Sequence, residues 1–231
     1  MSSDPIVAAD EDELARVAAA WIAEEVRRAA ARGGRCALAL SGGSTPRPAY
    51  ERLATEPGMP WSAVEIYFGD ERAVPPTDPG SNYRMAREAL VDRVGLPAER
   101  VHRMEADGPD VEAAAARYAA LLPDRLDVLV LGMGPDGHTA SLFPRSPALR
   151  ETRRKVVPAR SPVPPVDRLT ITPPVIASAR RLAVITAGAA KAPLLAQVLR
   201  GPWRPEELPA QLAREGTWLV DRAAAAALAA R

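Results

Sequence analysis

Along this chain, short runs of nearly continuous apolar residues alternate with longer stretches in which apolar positions recur every three or four residues. The short runs lie at 36–40, 64–69, 127–131, 168–172, 182–186 and 217–220, with a weaker one at 101–104. Strands that are apolar on both faces belong to a parallel sheet covered on each side. The helical stretches start with Leu14, Val17, Trp21, Ile22 and Val26, which come after an Asp10/Glu13 capping box and run up to Gly33 and Gly34. Further helices are predicted from Pro46, over 83–94, 111–122 and 189–199, and in the alanine-rich C-terminal segment. Strand–helix alternation of this kind predicts an α/β fold with a mostly parallel sheet. Residues 145–165 read as irregular and arginine-rich, ending in a proline cluster at 158–165. The segment after that cluster is too small for an independent unit, so a single domain over 1–231 is expected.

Composition narrows the field of partners. With 30 basic and 29 acidic residues the formal net charge is +1, so nothing favours nucleic acid or a membrane surface as a partner. Any anion must be held by local geometry. The N-terminus lacks the basic start and apolar run of a secretion signal, and no apolar run approaches the ~18 residues of a membrane helix. A cytoplasmic location is therefore expected, and a monomer, since no exposed apolar stripe demands a partner. The one cysteine, Cys36, lies in an apolar run and reads as a core residue.

Candidate chemistry concentrates at strand ends. The stretch Asp127-Val-Leu-Val-Leu-Gly-Met-Gly-Pro-Asp-Gly-His-Thr-Ala-Ser-Leu-Phe-Pro144 runs from a buried-type strand into a glycine-dense turn carrying His138, one of two histidines in the chain. The C-terminal mouth of a parallel strand is where ligands bind in open α/β sheets. His138 is therefore the candidate base, with Asp136 beside it, although a histidine satisfied by local backbone would give the same sequence. Ser41-Gly-Gly-Ser-Thr-Pro46 joins a strand to a helix. Gly42 and Gly43 permit a turn with inward N–H groups, and Ser44 or Thr45 could cap the helix. Such a turn suits a phosphate, or is simply a tight connection.

Asp70-Glu71-Arg72 closes the strand at 64–69, so Arg72 stands either as a phosphate clamp or as a surface ion pair. Lys191 opens a helix on the same rim. Arg168 begins its strand, which would put it at the opposite end of the sheet. Gly132-Met-Gly-Pro-Asp-Gly137 matches a dinucleotide fingerprint, but Pro144 cuts short the helix that should come next. There is no Gly-x-Ser-x-Gly elbow, so a serine hydrolase is not expected, and no metal-spaced His/Cys cluster, so no metal is expected.

Three blocks, Leu-Ser-Gly-Gly-Ser-Thr-Pro46, Phe-Gly-Asp-Glu-Arg72 with Ser81-Asn-Tyr83, and Gly-Met-Gly-Pro-Asp-Gly-His-Thr-Ala-Ser-Leu-Phe-Pro144, together resemble the 6-phosphogluconolactonase family. The likeness spans residues 37–191. It implies a Rossmann-like three-layer αβα sandwich, shared with glucosamine-6-phosphate deaminase and ribose-5-phosphate isomerase. It also implies hydrolysis of 6-phospho-D-glucono-1,5-lactone in the oxidative pentose phosphate pathway, without a cofactor. His138 would be the base, oriented by Asp136, and the phosphorylated substrate would be held by Gly42, Gly43, Ser44, Thr45, Arg72, Lys191 and Arg168. The developing oxyanion is expected to meet N–H groups of a glycine turn. The competing reading is a deaminase-like isomerase, but that family typically has Asn-Glu-Pro after its histidine, where this chain has Leu142-Phe143-Pro144. A non-catalytic sugar-phosphate sensor is the third reading, and it would have no need of His138.

Overall fold

The computed structural model describes residues 4–228. In chain order its elements are β1 (Ile6–Ala8), α1 (Glu11–Gly33), β2 (Cys36–Leu40), α2 (Arg47–Leu53), β3 (Val64–Phe68), β4 (Asp70–Arg72), α3 (Asn82–Ala86), α4 (Asp92–Val94), α5 (Val111–Leu121), β5 (Val128–Gly132), β6 (Val156–Arg160), β7 (Asp167–Ile171), α6 (Pro173–Ser178), β8 (Arg181–Thr186), α7 (Ala192–Arg200), β9 (Thr217–Asp221) and α8 (Arg222–Ala225). Six strands pair in parallel in the order β1-β9-β8-β5-β2-β3. The expected α/β architecture and mostly parallel sheet are present.

The apolar runs explain the sheet. Leu38, Leu40, Val128, Leu129, Val130, Leu131 and Val184 have no solvent exposure, because helices cover both faces. The capping box of α1 forms largely as its residues suggest. The Glu13 amide donates to Asp10 Oδ1 at 2.9 Å, and the Glu13 carboxylate reaches back to the amide of Ala9 at 2.7 Å, one residue short of Asp10. The helix ends at Gly34 in the left-handed region, φ 71°. Cys36 is fully buried, and burial pushes its thiol up to about 12, so it is inert packing.

Several local expectations need correction. Asp70–Arg72 does not prolong β3. The chain leaves the parallel sheet at Gly69, whose amide donates to Leu40 O (3.0 Å) while its carbonyl accepts from Ile171 (2.9 Å). It then enters a second, antiparallel sheet of order β4-β7-β6. The supposedly irregular stretch 145–165 contains β6, which runs into the proline cluster, with Pro158 inside it opposite Leu169. Proline is tolerated there because β6 is an edge strand. α2 is capped by Pro46, with no side-chain hydrogen bond from Ser44 or Thr45. β1 and α6 have no counterpart in the sequence pattern, and Val101 makes only an isolated bridge to Ile66. Of the predicted C-terminal helix, residues 229–231 lie outside the described residues.

Candidate active site

β2 pairs with β3 on one side and with β5 on the other. The connection after β2 runs toward β3 and the one after β5 runs the other way toward β8, so a crevice opens at the carboxyl ends of β2 and β5. Both glycine turns of the sequence emerge there. Between them lies a cleft of about 700 Å³, lined among others by Gly42, Gly43, Ser44, Thr45, Arg72, Asp136, His138 and Arg168. A neighbouring, more apolar cleft of about 850 Å³ shares Asp136, Phe143, Ser161, Pro162 and Arg168 with it but lacks His138 and the 42–45 turn. The smaller cleft is the one that gathers chemistry.

The turn after β5 is built to present an imidazole. Gly137 (φ 82°) reverses the backbone, and its amide donates to Gly134 O at 3.2 Å. The Gly134 amide donates to His138 O at 2.9 Å. A Cβ on Gly134 would lie 2.1 Å from the His138 ring, so only glycine lets the imidazole lie across the turn. His138 Nδ1 pairs with Asp136 Oδ1 at 2.5 Å, and the same oxygen accepts the His138 amide at 3.1 Å. Phe143 supports the ring with centroids 4.6 Å apart. Burial alone would raise the Asp136 carboxyl, but its hydrogen bonds and Coulombic attraction to His138 outweigh this and hold it below the usual carboxylate range. An ionised partner on Nδ1 keeps a proton there and leaves Nε2 to accept one.

The turn after β2 is built differently. Its residues Gly42, Gly43, Ser44 and Thr45 use neither their N–H groups nor the two hydroxyls on protein acceptors among the described residues. Gly43 adopts φ 102°, which a side chain would strain. Consecutive free amides in such a turn form an anion-binding concavity. By contrast, the Gly134 and Gly137 amides beside His138 are already engaged within their own turn.

The small sheet supplies charge. Arg72 and Arg168 are cross-strand partners in β4 and β7, which brings both to the cleft. This corrects the expectation that Arg168 lies at the far end of the sheet. Its strand runs antiparallel in a different sheet, and that reverses the inference. Arg168 is 7% exposed and donates from Nε to Pro165 O at 2.9 Å. Burial, then the charge of Arg72, lowers its affinity for a proton against the opposing pull of Asp70 and Glu71. Arg72 donates to Gly80 O, while its buried Nε has no partner. Two guanidinium groups side by side in a cleft are a site for an anion. Glu71 does not pair with Arg72's guanidinium. Its buried carboxylate accepts from the amides of Arg72, Asn82 and Tyr83 at 2.7–2.8 Å and from Ser81 Oγ at 3.0 Å, tying the start of α3 to β4.

Lys191 is the expected residue that does not line the cleft. It stands behind the His138 turn, where its half-buried ammonium donates to Met133 O at 2.9 Å; burial lowers its pKa, against the pull of Asp136. His102 lies away from the cleft, stacked on Tyr67 and paired with Glu65. Asp70, Asn82 and Ser141 line the cleft but have no role that the sequence pattern assigns. Only their places inside the three blocks could have signalled them. No group of three or more His, Cys, Asp or Glu placed to hold a metal occurs among the described residues.

Comparison with known proteins gives consistent results. Residues 9–220 match the family model described as glucosamine-6-phosphate isomerases/6-phosphogluconolactonase. A 6-phosphogluconolactonase of Streptomyces coelicolor is 40% identical, covering 99% of this chain and 96% of that protein. One from Mycobacterium tuberculosis is 37% identical, with 99% of each covered. The solved 6-phosphogluconolactonase of Trypanosoma brucei superposes with a TM-score of 0.84 at 32% identity, covering 98% of this chain and 99% of that one. The chain belongs to the glucosamine-6-phosphate isomerase/6-phosphogluconolactonase family.

Proposed function

We propose that this protein hydrolyses 6-phospho-D-glucono-1,5-lactone to 6-phospho-D-gluconate, the second step of the oxidative pentose phosphate pathway. The observation that carries the reading is the pairing of Asp136 with His138 Nδ1 in a cleft whose other walls offer free amides and two arginines. The phosphate rests on the turn Gly42, Gly43, Ser44 and Thr45, with Arg72 and Arg168 beside it. Lys191 steadies the opposite turn through Met133 and adds positive charge from behind. So anchored, the lactone carbonyl faces His138.

A lactone carbonyl is electrophilic enough to need no covalent nucleophile. Neutral His138 takes a proton from water through Nε2 as the water oxygen bonds to C1. The imidazolium, stabilised by Asp136, then gives that proton to the ring oxygen as the C1–O bond breaks, and the new carboxylic acid ionises. Deaminase-like isomerisation would require a further proton-transferring side chain next to His138. Phe143, packed on the imidazole, has none.

The working unit is proposed to be a monomer; light scattering coupled to gel filtration checks it. Among the described residues no helix is long and apolar enough to cross a membrane. The phosphorylated substrate does not cross membranes unaided, which supports a cytoplasmic setting.

The reading is tested by consumption of freshly prepared lactone, with spontaneous hydrolysis subtracted. His138→Ala is expected to lower kcat by about 10²–10⁴-fold. Wild-type protein no faster than buffer would overturn the proposal.

A further inference from the structure

Beneath the cleft, three polar side chains that the mechanism does not use form one buried chain. Asp70, Asn82 and Ser141 are 8%, 2% and 1% exposed. Asp70 Oδ2 accepts from Ser141 Oγ at 2.6 Å, and Asp70 Oδ1 accepts from Asn82 Nδ2 at 3.1 Å. Asn82 Nδ2 donates also to the Asp70 carbonyl at 2.9 Å. Because both its partners are acceptors, the Asn82 amide has one orientation only. Its Oδ1 is buried without a hydrogen-bond partner, and a Cβ built on Gly42 would lie 1.8 Å from it. The amide oxygen thus fills the space where any other residue at 42 would carry a side chain, facing the glycine's Cα–H in a weak contact.

The two ends of this chain meet the two halves of the cleft. Asn82 abuts the 42–45 turn. Ser141 belongs to the loop that carries His138, and its amide is also held by Thr170 Oγ1 at 3.1 Å. We propose that Asp70, acting through Asn82 and Ser141, is the positioning residue that fixes the Gly42 turn relative to the His138 loop, and so sets where a phosphorylated lactone places its carbonyl. Asp70 lies on β4, immediately after the crossing at Gly69, so it is rooted in the strand that joins the two sheets. Its oxygens are engaged by donors on both sides, and neither partner is the imidazole.

The inference rests on the lactonase reading for its kinetic signature, but its central contact is testable without turnover. Misplacement of a binding group by about 1 Å can cost up to about 100-fold. Asn82→Ala is expected to raise KM for the phosphorylated lactone, and Kd for 6-phosphogluconate by titration calorimetry, by about 10-fold with kcat within about twofold. Ser141→Ala is expected to do the reverse, lowering kcat by about 10-fold at nearly constant KM. Gly42→Ala should abolish 6-phosphogluconate binding in the wild-type background yet be much milder in Asn82→Ala, because the methyl then enters space the amide has vacated.

Rescue of binding in the double variant, together with the KM-against-kcat split, supports the proposal. Equal harm from Gly42→Ala in both backgrounds would overturn it. So would a parallel fall in kcat and rise in KM for both single variants, the pattern of general destabilisation. Wild-type protein that binds 6-phosphogluconate but does not hydrolyse the lactone would count against the enzymatic reading alone, since the rescue is read from binding.

Discussion

In the six-stranded parallel sheet the strands are mostly apolar on both faces, and its candidate site residues come from the turns at their carboxyl ends. In the three-stranded antiparallel arm the strands themselves carry the polar groups, since Asp70, Glu71, Arg72 and Arg168 all lie in β4 and β7. The large sheet can bury the interior of its central strands because helices close both faces, and so it offers rigid backbone positions for the His138 turn and for free amides. The arm is anchored to it where the chain crosses at Gly69, and its Arg72/Arg168 pairing delivers two guanidinium groups to one point. Precision and charge thus come from separate sheets, and the crossing strand holds them together.

That division can be tested where the sheets meet. Leu131, at 0% exposure in β5, lies near Gly69 and packs at the junction. Leu131→Ala is expected to lower the unfolding free energy by about 2–5 kcal/mol, read by urea denaturation. A cost below about 1 kcal/mol would mean that the junction is loosely packed and does not lock the two sheets together. A smaller but more specific effect is expected in the arm. Arg168→Ala and Arg72→Ala should each raise KM by about 10–100-fold, as loss of a charge-assisted contact predicts, with kcat much less affected. If either lowered kcat and left KM unchanged, the arginines would serve the reacting centre and not the anchor.

The smallest effect concerns Asp136. Its carboxyl titrates below the usual range in the folded protein. The group therefore contributes stability that is present above the ordinary carboxylate pKa and is lost as pH falls through the lowered folded value. Denaturation of wild type and Asp136→Asn over a pH series should show a gap that closes on acidification. A gap that widened instead would contradict the assigned pairing of the Asp136 carboxylate with the His138 ring.

The imidazole turn is legible in the sequence because its determinants are local. A buried-type strand, two glycines and the Asp-x-His spacing lie within a dozen residues, and the Gly42–Thr45 turn is local in the same way. Arg168 is recognisable as a candidate, but its chain position points to the wrong end, since the direction of a strand depends on which sheet it joins. β6 escapes the pattern because Pro158 and the arginines around it look like loop, and an edge strand tolerates them. Asp70, Asn82 and Ser141 carry no local signal because they work through partners as far as 71 residues apart in the chain. The sequence alone thus determined the strands of the parallel sheet other than its edge strand β1, with most of their helices and turns, since periodicity and glycine placement act over a few residues. Only the tertiary structure decided that the chain changes sheets at Gly69, that Arg72 faces Arg168, and that one buried carboxylate bridges both halves of the cleft. Those are pairings between distant segments, fixed by burial and hydrogen-bond satisfaction in the folded whole.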